Sequence, residues 1–128
     1  MKYYISKTIN ADFDKAMEQT IQALKNEGFG VLSQIDIKEK LKEKLDVDFK
    51  KYTILGACNP PNAYKALQVE DKIGTMLPCN VIVQEHSEGK VEVAAVDPVA
   101  SMMAVENQQL SGIAKDIRAR LERVIESL

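Results

Sequence analysis

The chain holds two cysteines, each followed by asparagine and each beside proline, in Ala57-Cys58-Asn59-Pro60-Pro61 and in Leu77-Pro78-Cys79-Asn80. A thiolate can act as a nucleophile, ligate a soft ion or pair with a second thiol, and a neighbouring carboxamide can donate and accept hydrogen bonds to hold a polar ligand. The rest of the sequence narrows these chemistries. The cysteines stand 21 residues apart rather than in Cys-x-x-Cys, which removes the thioredoxin arrangement and reads as two free thiols. His86 is the one histidine, so a structural zinc site of four Cys and His ligands cannot be completed.

A cysteine hydrolase needs its histidine within hydrogen-bond reach of the thiol. Cys79 and His86 are seven residues apart on one predicted strand, about 23 Å at roughly 3.3 Å per residue, and they point to opposite faces. A Cys58 and His86 pairing stays open, although His86 adjoins a turn. For a soft ion such as Cu(I), Cys58 and Cys79 with Met76, Met102 or Met103 are candidate ligands. Each residue also has a plain structural role: free cysteine packs as a small hydrophobe, methionine fills gaps, and Asn59, Asn80 and Asp97 suit helix caps and turns. Asp46 with Asp48, and Glu70 with Asp71, read as solvated loop carboxylates. No acid-base or nucleophilic constellation emerges, which favours a binding domain over an enzyme.

The elements that must position these residues follow from periodicity and caps. Residues 2–9 are rich in strand formers, and Asn10 is expected to cap a helix whose stripe is Phe13, Met17, Ile21 and Leu24, ending at Gly28. Phe29, Val31, Ser33 and Ile35 then share one face of a second strand, with Leu32 on the other. Asp36 and Glu39 resemble a capping box for a short helix carrying Ile37, Leu41 and Leu45. Its lysines, Lys38, Lys40, Lys42 and Lys44, interleave with Glu39 and Glu43, so that face reads as solvated rather than as a polyanion site.

Tyr52–Cys58 is the third strand, and Asn59-Pro60 caps and opens a helix to about Leu67 or Val69. Alternation puts Cys58 with Ile54 and Tyr52, and Cys79 with Val81 and Val83, so both thiols are expected in apolar surroundings. Residues 79–86 and 90–96 flank Ser87-Glu88-Gly89 as a hairpin. Asp97-Pro98 starts a short helix with Met102, Met103 and Val105, and the last helix aligns Leu110, Ile113, Ile117, Leu121, Val124 and Leu128. The order βαβαβαββαα predicts one two-layer α+β domain over residues 1–128, a mixed sheet of about five strands covered by helices. If the third and fourth strands are antiparallel neighbours, the two thiols meet at one end of the sheet; if parallel, they lie apart.

With 17 basic and 19 acidic residues the formal charge is −2, which argues against a nucleic-acid partner and against binding to anionic membranes. The opening residues hold no continuous apolar segment, and no run approaches the ~20 apolar residues of a membrane span, so a cytoplasmic protein is expected.

Ile54-Leu55-Gly56-Ala57-Cys58-Asn59-Pro60, Leu77-Pro78-Cys79-Asn80-Val81-Ile82-Val83 and Asp97-Pro98, in this order and spacing, resemble the bacterial and archaeal domain-of-unknown-function family 302 over nearly the whole chain. The resemblance implies a compact domain with helices on a β-sheet, assembled as a homodimer, with no established biochemical activity and no catalytic residues to carry over. Residues and resemblance together lead to a small homodimer with a small-molecule ligand pocket near Cys58, Asn59, Pro60, Cys79, Asn80 and Asp97. The alternatives are a reversible disulfide or copper held by Cys58, Cys79 and Met102, and an assembly module without a site. The residues name no particular cofactor, and its identity is left open.

Overall fold

Strand-forming stretches of alternating burial assemble one five-stranded sheet in the computed structural model, which describes residues 2–128. The strands are β1 (Tyr4–Asn10), β2 (Gly30–Asp36), β3 (Tyr52–Cys58), β4 (Cys79–Ser87) and β5 (Lys90–Val96), in the order β1-β5-β4-β3-β2. The helices are α1 (Phe13–Asn26), α2 (Ile37–Leu45), α3 (Pro60–Val69), α4 (Pro98–Ser101) and α5 (Gln109–Glu126). A 3-10 turn over Asp71–Met76 follows α3.

The two-layer α+β arrangement is the expected one, but every pair of neighbouring strands is antiparallel, so the sheet is not mixed. β1 and β2 run parallel and are joined through α1, yet they sit at opposite edges because β3, β4 and β5 lie between them. α3 and the 3-10 turn do not cross the sheet. They leave β3 and enter β4 at one end, where Ala57 pairs with Cys79.

One face of the sheet is the core. Leu55, Ala57, Val81, Val83, Val91, Val93 and Ala95 pack there against Ala16 and Leu24 of α1 and Ile117, Leu121 and Val124 of α5. The stripe predicted for α5 accounts for this: Leu110, Ile117, Leu121 and Val124 are all buried. A smaller cluster of Ala66, Ile73, Met102, Leu110 and Ala114 fills the space under α3.

Three local expectations are corrected. Asn10 belongs to β1, and Asp12 caps α1 by accepting from the Lys15 amide at 2.8 Å. Two residues later in the chain, Asp12 is where the backbone passes from strand to helix, and its carboxylate is placed to accept from the first turn. Strand β2 carries a bulge between Val31 and Ser33, so strict alternation fails: Val31 pairs with Ala57 on the core side while Ser33 and Ile35 pair with Gly56 and Ile54 on the other. The helix after Asp97-Pro98 stops at Ser101, leaving Met103 and Val105 in the turns beyond it.

Candidate functional site

Antiparallel pairing of β3 with β4 brings the end of one against the start of the other, and with it Cys58, Asn59, Pro60, Cys79, Asn80 and Asp97 to one end of the sheet. They do not share one pocket. Cys58 and Cys79, both free thiols, line a small cavity with Phe29, Ala66, Pro78 and Met102. Its volume is about 20 Å³, room for about one water molecule and too small for an organic ligand. Burial pushes the Cys79 thiol up to about 11, and the neighbouring Cys58 adds to the rise. It is therefore a poor nucleophile at neutral pH.

The expectation that both thiols face apolar surroundings is met most fully by Cys79, which is buried with Val81 and Val83. Cys58 is half-buried in phase with Tyr52 and Ile54. Beside it, Gly56 permits a close approach: a Cβ there would stand 2.4 Å from Ser33 Oγ and 2.9 Å from Pro78 Cγ. His86 lies at the far end of β4 from Cys79, which closes the open question of a Cys58 and His86 pair.

The asparagine and aspartate of the motifs are capping groups. Asn59 Oδ1 accepts from the Asn62 amide at 3.2 Å, and its Nδ2 donates to Gly28 O at 3.0 Å. Asn62 Nδ2 in turn donates to Asp116 Oδ2 at 2.8 Å, which also receives Arg120 Nε at 3.1 Å, while Arg120 Nη1 donates to Glu27 O at 2.9 Å. This chain of bonds ties α1, α3 and α5 together. Hydrogen bonds from Asn62 and then Arg120 hold the Asp116 carboxyl below its usual range. Gly28, at φ 84°, has no Cβ to collide with Asn59 Nδ2, which would lie 3.0 Å away.

Asn62, Asp116 and Arg120 went unnoticed in the sequence. The only signal was the i, i+4 spacing of Asp116 and Arg120, which is common on exposed helices. Asn59→Ala removes both a helix cap and the partner of a part-buried carbonyl, so unfolding should become easier by about 2 kcal/mol. Chemical denaturation of the variant checks this, and a change below about 0.5 kcal/mol would mean that water replaces both bonds. Asp97 caps α4 through the Val99 and Ala100 amides at 3.0 and 3.3 Å, and pairs with Arg118 Nε at 3.3 Å.

Asn80 points the other way, onto the face of the sheet opposite the core. Register places Ile35, Ile54, Ile82 and Ala94 abreast on that face, with Tyr52, Gln84 and Glu92 in the next row. Asn80 is exposed, and Tyr52, Ile82, Gln84 and Glu92 are half-buried. Together with Tyr4 and Val96 they line a cavity of about 430 Å³. Glu92 Oε1 accepts from Gln84 Nε2 at 3.3 Å and lies 2.8 Å from His86 Nε2. Asn80, Ile82 and Gln84 alternate with Cys79, Val81 and Val83 in β4, which separates Asn80 from the pocket expected around the thiols; the partners from β1, β3 and β5 required the strand order.

Residues 5–128 match the family described as Domain of unknown function DUF302. The chain belongs to this family. The resemblance noted in the Cys-Asn and Asp-Pro segments is thereby established over residues 5–128. The crystal structure of uncharacterized conserved protein DUF302 from Bacillus stearothermophilus is similar to this chain, with 30% identity, a TM-score of 0.90 and 98% of each chain covered. The antiparallel five-stranded architecture is thus that of a DUF302 protein already solved by crystallography. No curated protein matches the chain. Among the described residues no helix is long and apolar enough to cross a membrane.

Proposed function

We propose that the protein is a small cytoplasmic homodimer that binds a small organic ligand on the open face of its sheet, against Asn80. The observation that carries this reading is the cavity of about 430 Å³ bounded by Tyr4, Tyr52, Asn80 and Ile82. Ligand pockets commonly enclose roughly 300–1,000 Å³ with apolar and aromatic walls and a few convergent polar groups. Asn80 keeps the Cys-Asn segment in the site, while Cys58, Cys79, Asn59 and Asp97 act as the scaffold behind it. Dimerisation is favoured by the apolar side chains that β2, α2 and the following loop leave exposed: Leu32 at 69%, Leu45 at 65%, Val47 at 43% and Phe49 at 38%. A second copy is the simplest cover for so much apolar surface on a soluble chain.

A second reading concerns the corner cavity. Cys58, Cys79 and Met102 supply three sulfur atoms around a space of about 20 Å³, a donor set that suits a single soft ion such as Cu(I). Binding there requires loss of thiol protons that burial holds tightly at Cys79.

Native mass spectrometry of reduced protein, before and after incubation with a library of small aromatic and polar fragments, separates these readings. The expected result is a species of twice the chain mass that retains a fragment, with retention lost in Asn80→Ala. Retained copper that disappears in Cys58→Ser would favour the second reading. A bare monomer that takes up neither would sink both.

A further inference from the structure

Resting on the open-face reading above, the geometry points to the class of ligand: an organic cation, a protonated amine or quaternary ammonium, with Glu92 as its counter-ion and Tyr52, in the same row, as its ring wall. The charge of the cavity carries this. Its lining contains one carboxylate and no lysine or arginine. The Glu92 side chain is only 22% exposed, and among the described residues its one ion-pair partner is His86, which is charged only when protonated. Gln84 and His86 both reach Glu92 Oε1, which leaves Oε2 without a partner among the described residues and open to a cation that enters the cavity. An anionic ligand would meet that same charge at short range in a partly dry site and be repelled.

The aromatic wall acts in the same direction. Tyrosine ring faces carry negative quadrupole density and attract cations within about 6 Å of the centroid. Tyr52 stands in the row of Gln84 and Glu92, whereas Tyr4 lies in the row of Asn80 with the Lys2 ammonium 5.8 Å from its ring centroid, so Tyr52 is the ring available to a cation at Glu92. Gln84 donates to Glu92 Oε1 and so fixes the carboxylate on the cavity floor. Ile82 and Ala94 provide apolar floor for the organic part of the ligand. Asn80, at the opposite end of the same face, is free to orient a polar tail.

Three probes with the same ring and chain but different charge test the proposal: phenethylammonium, phenethyl alcohol and phenylacetate, each titrated into the full chain and followed by backbone amide shifts in NMR. Phenethylammonium should shift the amides of Asn80, Ile82, Gln84 and Glu92 and bind about tenfold more tightly than the alcohol, with phenylacetate weakest. Glu92→Gln keeps the shape of the side chain and one acceptor oxygen for Gln84 and His86, removes the charge, and should reduce the ammonium to the affinity of the alcohol. Equal binding of the alcohol and the ammonium at these amides would overturn the cation assignment while leaving the open-face pocket standing. Absence of shifts there with all three would overturn both. If Glu92→Gln failed to fold, the order of the three probes on the unmodified protein would still decide.

Discussion

Leu55→Ala should lower the unfolding free energy by about 3–5 kcal/mol, the cost of deleting a fully buried leucine where the surroundings cannot collapse. Leu55 is 0% exposed in the second-from-edge strand, and its cross-strand partner Val81 is 0% exposed as well. Val81 pairs in turn with Ala95, and the row ends on Ile5 of β1. Rigid pairing on both sides prevents the backbone from closing the void. For a chain of this length the loss corresponds to a fall in Tm of roughly 10 °C or more. Urea denaturation with an unchanged m-value is the measurement. A loss below about 1 kcal/mol would mean that α1 and α5 settle into the gap and that the helix layer is less tightly held than its burial implies.

The second large effect is alkaline destabilisation through Cys79. Its thiol ordinarily titrates near 9.0 and in the folded chain is pushed up to about 11, first by burial and then by Cys58. Below pH 9 the thiol is neutral in both states and the stabilisation is whole. Between pH 9 and 11 the unfolded chain releases this proton while the folded chain keeps it. Stability therefore falls as pH rises, by about 3 kcal/mol over the window, and the loss ends once the folded thiol also ionises. The difference between the native chain and Cys79→Ala isolates the thiol from every other alkaline effect. The two stability curves should converge between pH 9 and 11 if the alanine variant starts lower. Parallel curves would show that Cys79 ionises as freely in the folded chain as in the unfolded one.

The second effect belongs to the end of the sheet where β3 meets β4, and that end was partly legible in the sequence. Asn59-Pro60 and Asp97-Pro98 announced helix starts because a capping side chain followed by a residue with fixed φ and no amide hydrogen suits no other local structure so well. The hairpin at Glu88-Gly89 and the stripe of α5 were legible for the same kind of reason: period and turn chemistry are local properties. The β2 bulge was not, since an extra residue in a strand leaves the composition unchanged and is detected only by what pairs across from it.

The site divides along the same line. Alternation grouped Cys79 with Val81 and Val83, and it showed the conditional that antiparallel β3 and β4 would unite the thiols. Strand order resolved that conditional, and it also separated residues that adjacency in sequence had grouped. Asn80 follows Cys79 directly, yet the pleat sends the two to opposite faces, one toward a cavity of about 430 Å³ and the other toward a space of about 20 Å³. Tyr4, Tyr52 and Glu92 entered the candidate site only through pairing between strands distant in the chain. What the sequence determined by itself about this protein is its family, the order of its elements, the caps at Asp36, Asn59 and Asp97 and the phase of β3 and β4, because those rest on patterns a few residues long. The antiparallel order, the closed network of Asn59, Asn62, Asp116 and Arg120, and the open face with its single carboxylate were decided by tertiary structure alone, because each is a relation among segments that only packing brings together.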